Sequence, residues 1–170
     1  VWNILNEFTL SAIPLFIIMG EILLESGVSK KIYNSLSGIF KRIPGGLLHT
    51  NIAVCTVFGA ISGSSLSTAA AVGSVAYPEM SKRKYDDLMV VGSLAGGGTL
   101  GLLIPPSLSL LIYGALTETS IGKLFIGGIL PGLLMAILFM IYIFLRCIKN
   151  PTLWNLDSKG EEKIFLSLIK

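Results

Sequence analysis

An uncharged stretch of the chain, residues 50–78, has a polar break at its centre. The break is the run SGSS at residues 62–65, and it leaves an apolar arm of roughly 11 to 12 residues on each side. As a helix, each arm would be about 17 Å long, whereas the hydrocarbon core of a bilayer is ~30 Å thick. Each arm is therefore about half a span, and the stretch predicts a helical hairpin that enters a membrane and turns back.

The composition supports a membrane environment. Hydrophobic residues make up 52% of the chain, charged residues only 14%, and the mean hydropathy is +0.77. These values exclude an ordinary soluble domain and predict an all-α integral membrane protein. The net charge of +3 comes from basic residues between apolar segments. Basic residues at such positions set the membrane topology and face lipid headgroups, and they do not indicate nucleic-acid binding. Cys55 and Cys147 lie in apolar segments and give neither a metal-binding spacing nor a disulfide framework.

Basic residues on both sides of the hairpin predict that both of its ends are cytoplasmic. They are Lys30, Lys31, Lys41 and Arg42 before it, and Lys82, Arg83 and Lys84 after it. On the outer side Lys123 is offset by Glu118, and a last span returns to Arg146 and Lys149. Non-helical backbone at membrane depth survives only where it is buried in protein or lines a wet cavity. The hairpin tip is therefore a candidate binding site.

The predicted organisation has six parts. They are a transmembrane helix (1–27), an amphipathic interfacial or arm helix (28–46), the re-entrant helical hairpin (47–80), a discontinuous transmembrane helix (86–118), a transmembrane helix (124–147), and a cytoplasmic linker with the start of another helix (148–170). We expect Pro14 to break the first apolar segment, Ser29 to cap the amphipathic helix and Pro44 to stop it. A capping box at residues 157–161 predicts a further helix, so we expect a piece of a longer protein.

A second apolar segment, residues 88–117, also lacks charge and is also interrupted. The run GGGTLG at residues 96–101 is rich in glycine, and IPPS follows at residues 104–107. Glycine permits positive φ and close backbone approach, and proline lacks the amide that a helix needs. We therefore expect a spanning helix that is broken at both runs.

Two neighbouring interrupted segments are a pointer to the binding site of a secondary transporter. Hydroxyl groups at both breaks, with freed carbonyls, predict an all-oxygen shell for a hard monovalent cation, and the helix start after Ser65 would favour a carboxylate. Neither segment contains Asp, Glu, Lys, Arg or His, and Glu21, His49 and Glu118 lie near segment ends, which favours sodium over a proton as the coupling ion. The alternative is that glycine and serine only allow close helix packing, since glycines recur at four-residue spacing. Those pairs are Gly59 and Gly63, Gly92 and Gly96, and Gly128 and Gly132.

An ordered series of motifs resembles the large membrane subunit of tripartite ATP-independent periplasmic (TRAP) transporters. The motifs are PLF at 14–16 with GE at 20–21, GSS at 63–65, PEM at 78–80, GTLG at 98–101, IPPS at 104–107 and GILPG at 128–132. The resemblance implies an elevator-like repeat of the ion-transporter superfamily in the bacterial inner membrane. It also implies sodium symport of organic acids such as C4-dicarboxylates or sugar acids, a small membrane subunit and a periplasmic substrate-binding protein. This chain would supply the first of two inverted repeats.

The resemblance also implies a division of the site residues. The ion-binding residues would be Ser62, Gly63, Ser64, Ser65, Gly97, Gly98, Thr99, Gly101 and Pro105. Ser65, Thr68 and Ser107 would contact the substrate. The chain departs from the family pattern at Lys84, where glycine is common, and at Ser67, where a small apolar residue is common. The departure at Ser67 adds a hydroxyl to the hairpin and leaves the exact ion ligands open.

Two other functions are compatible with parts of the pattern. A channel-like or scaffolding membrane subunit could also use a re-entrant loop. An intramembrane serine protease is less compatible, although His49 and several serines share the apolar region. The nucleophile motif G-x-S-x-G does not occur, and no acid near His49 could orient its ring.

Overall fold

The computed structural model describes residues 8–40 and 43–153, which form seven α-helices and a short 3₁₀ turn. The helices are α1 (Phe8–Glu25), α2 (Val28–Phe40), α3 (Leu47–Ser62), α4 (Ser65–Lys82), α5 (Asp87–Leu103), α6 (Leu108–Leu116) and α7 (Ile121–Lys149), and the 3₁₀ turn is Pro151–Leu153. The predicted start at residues 1–7, the bases at 41 and 42 and the capping box at 157–161 lie outside the described residues. The part that is described is all-helical, as predicted.

Two expectations about the first helices are wrong. Pro14 lies inside α1 and does not end it, because a proline removes only one amide donor and the helix continues on both sides of it. Ser29 is not a cap but a buried residue in the first turn of α2. The amide of Val28 instead lies 3.4 Å from the hydroxyl oxygen of Ser26. The side of α2 that carries Ser29 and Tyr33 is buried, and α2 packs against both α3 and α4.

Helices α3 and α4 form an antiparallel hairpin with only Gly63 and Ser64 between them. Its open end closes where the amide of Leu47 donates to the phenol oxygen of Tyr85 at 3.3 Å. The arms contain 16 and 18 residues, or about 24 and 27 Å of helix. They are longer than the sequence predicted, since α3 already begins at Leu47 and α4 continues through Pro78 to Lys82.

The glycine run does not interrupt α5, contrary to expectation; the only non-helical backbone between α5 and α6 is at residues 104–107. The run stays helical because its glycines face neighbouring helices and keep their intrahelical hydrogen bonds. The amide of Ile104 still donates to the carbonyl of Leu100 at 2.8 Å. Pro105 and Pro106 then have no amide to donate, so the helical ladder stops there.

Small residues bring α5 against both arms of the hairpin. Along α3, three contacts follow one another at single-turn intervals: Asn51 with Ser93, Cys55 with Gly97, and Gly59 with Gly101. A Cβ added at Gly59 would lie 2.8 Å from the Cα of Gly101, so the two backbones almost touch. Because the residue numbers increase in the same direction along both helices, α3 and α5 are parallel. Such close approach is how helices associate in an apolar solvent, where burial of apolar surface adds little.

The remaining helices surround this three-helix core. Two segments, Asp87–Leu116 and Ile121–Lys149, are long and apolar enough to cross a membrane. Only 11% of the most apolar window of α7 is buried, and its exposed side chains are mostly large and apolar. On its other side, a Cβ added at Gly132 would lie 2.6 Å from the side chain of Ile104. Helix α7 therefore packs on the α5–α6 break with one narrow face and presents the rest of its surface outward.

Candidate functional site

The hairpin tip reverses the chain within two residues. Gly63 ends α3 in the left-handed region, at φ 62°, and its amide donates to the carbonyl of Gly59 at 2.8 Å. Ser64 is extended and caps the start of α4, with its hydroxyl accepting from the amide of Ser67 at 3.4 Å. A Cβ at position 63 would lie 2.9 Å from the carbonyl oxygen of Pro106. Only glycine satisfies both the backbone angle and this close contact.

Three oxygen atoms meet immediately behind the tip. The hydroxyls of Ser62 and Thr68 are 2.8 Å apart, and the Thr68 hydroxyl donates to the carbonyl of Ser64 at 2.6 Å. The Ser62 hydroxyl lies 3.4 Å from the same carbonyl. Both side chains are almost completely buried, at 1% and 0% exposure. We call Ser62, Ser64 and Thr68 the tip cluster.

On one side, the tip cluster packs directly against the backbone of α5 at Gly101. A Cβ added at Gly101 would lie 2.9 Å from both the Ser64 carbonyl oxygen and the Thr68 hydroxyl oxygen. Any larger residue at position 101 would fill the space beside the cluster. Gly101 thus belongs to the site through its lack of a side chain.

The break between α5 and α6 meets the tip from the other side. The amide of Leu108 donates to the carbonyl of Gly63 at 3.2 Å, so the two interruptions are joined by a backbone hydrogen bond. Ser107 is buried beside the tip, and its hydroxyl donates to the carbonyl of Leu102 at 2.6 Å. The hairpin tip and the proline break therefore lie in direct contact, and their role as one binding site stays a prediction.

Four other predicted ion-binding residues lie outside the tip cluster, although Gly98 packs beside the start of α4. Thr99 is exposed on α5, and its hydroxyl donates to the carbonyl of Gly96 in its own helix at 2.7 Å. A Cβ added at position 97 would lie 2.9 Å from Cys55, and one at position 98 would lie 2.9 Å from Ala69 and 3.2 Å from the carbonyl oxygen of Ser65. Pro105 faces α7, where an added Cβ at Gly128 would lie 3.4 Å from its ring. Gly97 and Gly98 fit the packing alternative, since a continuous helix directs successive residues to different neighbours.

The predicted substrate residues differ in accessibility. Ser65 is half-buried in the first turn of α4, next to the 80% exposed side chain of Leu66. Thr68 and Ser107 are both buried and use their hydroxyls within the protein. Of the three, only Ser65 lies at an accessible surface of the tip.

The donor set determines which ligands the tip can hold. It consists of hydroxyl and carbonyl oxygens without a charged side chain, which suits a hard monovalent cation such as sodium. The first amides of α4 carry partial positive charge, and this end of the helix favours an anion. One end of the hairpin thus combines oxygen donors for a cation with a helix start that suits a carboxylate.

A second polar cluster, at the base of the hairpin, was missed by the sequence analysis. The Asn51 side-chain amide donates to the Ser93 hydroxyl at 2.8 Å and to the Met80 sulfur at 3.3 Å. The Ser93 hydroxyl donates in turn to the carbonyl of Val90 at 2.8 Å. Asn51, Met80 and Ser93, the base cluster, join α3, α4 and α5. The available signal was a single amide side chain in a long uncharged stretch, since such residues often bond between helices in membranes.

His49 belongs to neither cluster. It is buried at the start of α3, where its Nε2 lies 2.9 Å from the carbonyl of Pro44 and its ring stacks on Phe40. None of the side-chain hydrogen bonds found within residues 13–40 and 43–153 joins this ring to a serine. In the part of the chain that the structure describes, His49 therefore does not form the pair of nucleophile and base that a serine–histidine protease requires.

Comparison with known proteins identifies the chain's relatives. The family model described as "Tripartite ATP-independent periplasmic transporter, DctM component" matches residues 1–164. The chain belongs to the DctM family. It is 42% identical over 150 residues to the C4-dicarboxylate TRAP transporter large permease protein DctM of Pseudomonas aeruginosa. The matched region covers 87% of this chain and 35% of that protein.

Relatives with other named substrates are similar at comparable levels. The chain is 38% identical to the ectoine/5-hydroxyectoine TRAP transporter large permease protein UehC of Ruegeria pomeroyi, over 84% of this chain and 33% of that protein. It is 37% identical to the sialic acid TRAP transporter large permease protein SiaM of Vibrio cholerae, over 86% and 34%. The chain thus spans about a third of the length of these DctM-family relatives.

Family membership decides two of the open questions. DctM-family members are membrane components of transporters and not enzymes, which excludes the protease alternative. The resemblance read from the motifs is confirmed by a match over nearly the whole chain. The two candidate spans, Asp87–Leu116 and Ile121–Lys149, agree with a membrane protein.

Proposed function

We propose that this DctM-family chain is part of the large membrane subunit of a sodium-coupled TRAP transporter that takes up organic acids. The subunit would be a multi-pass protein of the bacterial inner membrane. It would work with a small membrane subunit and a periplasmic substrate-binding protein. Family membership and the named transport functions of its relatives support this role. Their substrates differ, so a C4-dicarboxylate or sugar acid is the proposed class and not an assignment.

The observation that carries the proposal is the meeting of the tip cluster with the α5–α6 break. The hydroxyls of Ser62 and Thr68 and the carbonyl of Ser64 converge within 3.4 Å of one another. A sodium ion would use these oxygens after the two hydroxyls give up their mutual hydrogen bond. Because the Thr68 hydroxyl donates at 2.6 Å to the Ser64 carbonyl, rotation of its hydrogen about the Cβ–Oγ1 bond would free that carbonyl and leave both oxygens able to face the ion. Gly101 would leave room beside the ion, and Thr99 would lie outside this shell.

The depth of the tip supports a re-entrant hairpin. The tip meets the break after the 17 residues of α5, and the nine residues of α6 continue beyond it. Helix α5 accounts for about 25 Å of a path that reaches about 45 Å with the break and α6. The hairpin would therefore stop inside the membrane, with its base at the same side as the start of α5. An elevator-like alternating-access movement would carry this site between the two sides.

The substrate carboxylate is proposed to lie at the start of α4, next to Ser65. The hydroxyl of the half-buried Ser65 and the first α4 amides would provide donors for an anion. Thr68 and Ser107 would contribute from behind this surface, through the tip and the break. The remaining two thirds of the permease would complete the site.

Two cysteine-labelling positions test the topology. Asn34 and Ser81 are exposed on α2 and at the end of α4, respectively. In full-length protein without Cys55 and Cys147, Asn34→Cys and Ser81→Cys should both react with an impermeant maleimide from the cytoplasmic side. Reaction from opposite sides would turn the hairpin into a through-going span and contradict the re-entrant assignment.

Transport itself is tested with proteoliposomes. They would contain the full-length permease and its small membrane subunit, with the sodium gradient and the periplasmic protein varied independently. We expect uptake of a radiolabelled C4-dicarboxylate or sugar acid to require both. Saturable uptake without sodium would remove the sodium assignment, and flux that needs neither component would favour a channel-like subunit.

A further inference from the structure

The turn between α4 and α5, residues 83–86, lies between α2 and the end of α7. On one side, Tyr33 of α2 is buried, and the pKa of its phenol is raised first by this burial and then by the neighbouring Tyr85 and Glu79, with Arg83 opposing. On the other side, the amide of Asp86 donates to the carbonyl of Leu153, just beyond α7, at 3.3 Å. Three elements that are distant in sequence therefore meet at one end of the protein.

Helix α7 fixes the membrane depth of this end. From Lys123 to Lys149 the helix rises about 39 Å, whereas the hydrocarbon core is ~30 Å thick and the bilayer with headgroups is ~40–45 Å. If Lys123 lies in one headgroup layer, Lys149 lies in the other. The turn at residues 83–86 packs beside the end of α7 and is thus at headgroup depth as well.

Positive charge is concentrated at this depth. The exposed bases are Lys30 and Lys31 on α2, Lys82 and Lys84 around the turn, and Arg146 and Lys149 on α7. Arg83 is the exception, because it pairs with Glu79 at 2.6 Å. Among the acids, Asp86 accepts from the amide of Met89 at 2.9 Å, and Asp87 lies in the first turn of α5, where the helix start favours a negative charge. Among the described residues, a further acid near these bases is Glu25, at the end of α1. The bases outnumber the acids that could neutralise them.

Exposed apolar side chains lie further along α2 from these bases. Ile39, which is 64% exposed, follows Lys31 by two helical turns, and Ile43 beyond the helix is 38% exposed. The opposite face of α2, which carries Ser29 and Tyr33, is buried against the hairpin base. The outward surface of α2 therefore offers cationic groups and, about two helical turns (~12 Å) further on, apolar ones, which matches a phosphate headgroup with its acyl chains better than a free phosphate ion.

We propose that Lys30, Lys31, Lys82, Lys84, Arg146 and Lys149, the basic surface, bind the headgroups of anionic phospholipids. Lysines near a membrane surface attract anionic lipid, and their contributions add. Because α2 is packed on the hairpin, lipid bound to Lys30 and Lys31 would hold the hairpin base at the headgroup layer. The proposal requires the chain to lie in a membrane but does not depend on what it transports.

Native mass spectrometry of the full-length permease tests the lipid preference without a transport assay. The purified protein would be titrated with phosphatidylglycerol or with phosphatidylcholine of the same acyl chains. We expect at least threefold higher retention of phosphatidylglycerol. The variant Lys30→Gln/Lys31→Gln/Lys84→Gln should lower it to the phosphatidylcholine level, while Lys30→Arg/Lys31→Arg/Lys84→Arg should keep the preference.

The controls separate charge, folding and location. Lys123→Gln, at the other end of α7, should leave the preference unchanged, and each variant should keep the thermal transition of the parent. Equal retention of the two lipids, or an unchanged preference in the glutamine variant, would overturn the proposal. Complete displacement of phosphatidylglycerol by millimolar inorganic phosphate would also overturn it, because the surface would then be a site for the free anion.

Discussion

The two ends of the hairpin contain polar clusters that use the same kinds of atom in different ways. At the tip, Ser62 and Thr68 bond to each other and to a carbonyl at a helix end, beside a break in the neighbouring helix. At the base, Asn51 bonds from the interior of α3 to Ser93 in the interior of α5. The tip cluster adjoins non-helical backbone, whereas continuous helices enclose the base cluster.

This difference separates a site that can bind from one that holds helices together. Hydroxyls at the tip can rotate and exchange partners, since the nearby turn and break supply further carbonyls. The Asn51 amide spans two helices whose distance is fixed by glycine contacts, and its Oδ1 has no partner within the described residues. We therefore expect substitutions at the tip to affect ion dependence, and those at the base to affect stability.

The largest loss of stability is expected at the contact between Gly59 and Gly101, which holds α3 against α5 between the two clusters. Gly59→Ala would place a Cβ 2.8 Å from the Cα of Gly101, and backbone cannot move aside as a flexible side chain can. Overpacking of this kind costs about 1–3 kcal/mol, and we expect the upper end. Fluorescence-detected size exclusion after heating would measure the loss. Gly92→Ala is the matched control, because no atom lies within 4 Å of the added Cβ.

A tip substitution should change sodium activation and spare stability. Thr68→Val keeps the side-chain shape but removes a hydroxyl of the tip cluster, so we expect the sodium concentration for half-maximal uptake to rise about tenfold, or ~1.4 kcal/mol. Thr56→Val removes a similar hydroxyl bond to the carbonyl four residues earlier, on the other arm. If both variants show the same sodium activation as the parent, the tip cluster is not the ion site.

The base substitution should show the opposite pattern. Asn51→Leu removes the hydrogen bond to Ser93 but also the unpartnered oxygen, so we expect a loss of only about 1 kcal/mol in stability. Sodium activation should be unchanged. Denaturation midpoints and uptake curves of the same preparations would measure both quantities. A shift in sodium activation larger than that of Thr68→Val would reverse the assignment of the two clusters.

The smallest effect is expected at Thr99. Its hydroxyl is exposed and bonds within α5, so Thr99→Val should change half-maximal sodium by less than about twofold. Uptake at graded sodium concentrations provides the measurement. A change as large as that of Thr68→Val would bring Thr99 back into the ion shell, through the part of the permease beyond this chain.

Much of this architecture could be predicted from the sequence. The SGSS run and the IPPS run determine where backbone must leave the helix, because Gly63 permits a left-handed turn and two prolines remove amides. The glycines at 96–101 were misjudged, since glycine fits both a break and a close helix contact. Only the partner decides between these, and for Gly97 it is Cys55 on α3. Contacts of this kind depend on register between helices, which single-helix patterns do not contain.

The hydrogen bond from Leu108 to the carbonyl of Gly63 has a consequence for observing movement. It is a single backbone bond between two segments that lie more than forty residues apart in sequence. Its amide proton can exchange with solvent deuterium only when the tip and the break separate. The hydrogen-exchange rate of the Leu108 amide therefore reports how often the tip and the break separate, and its measurement requires no attached label.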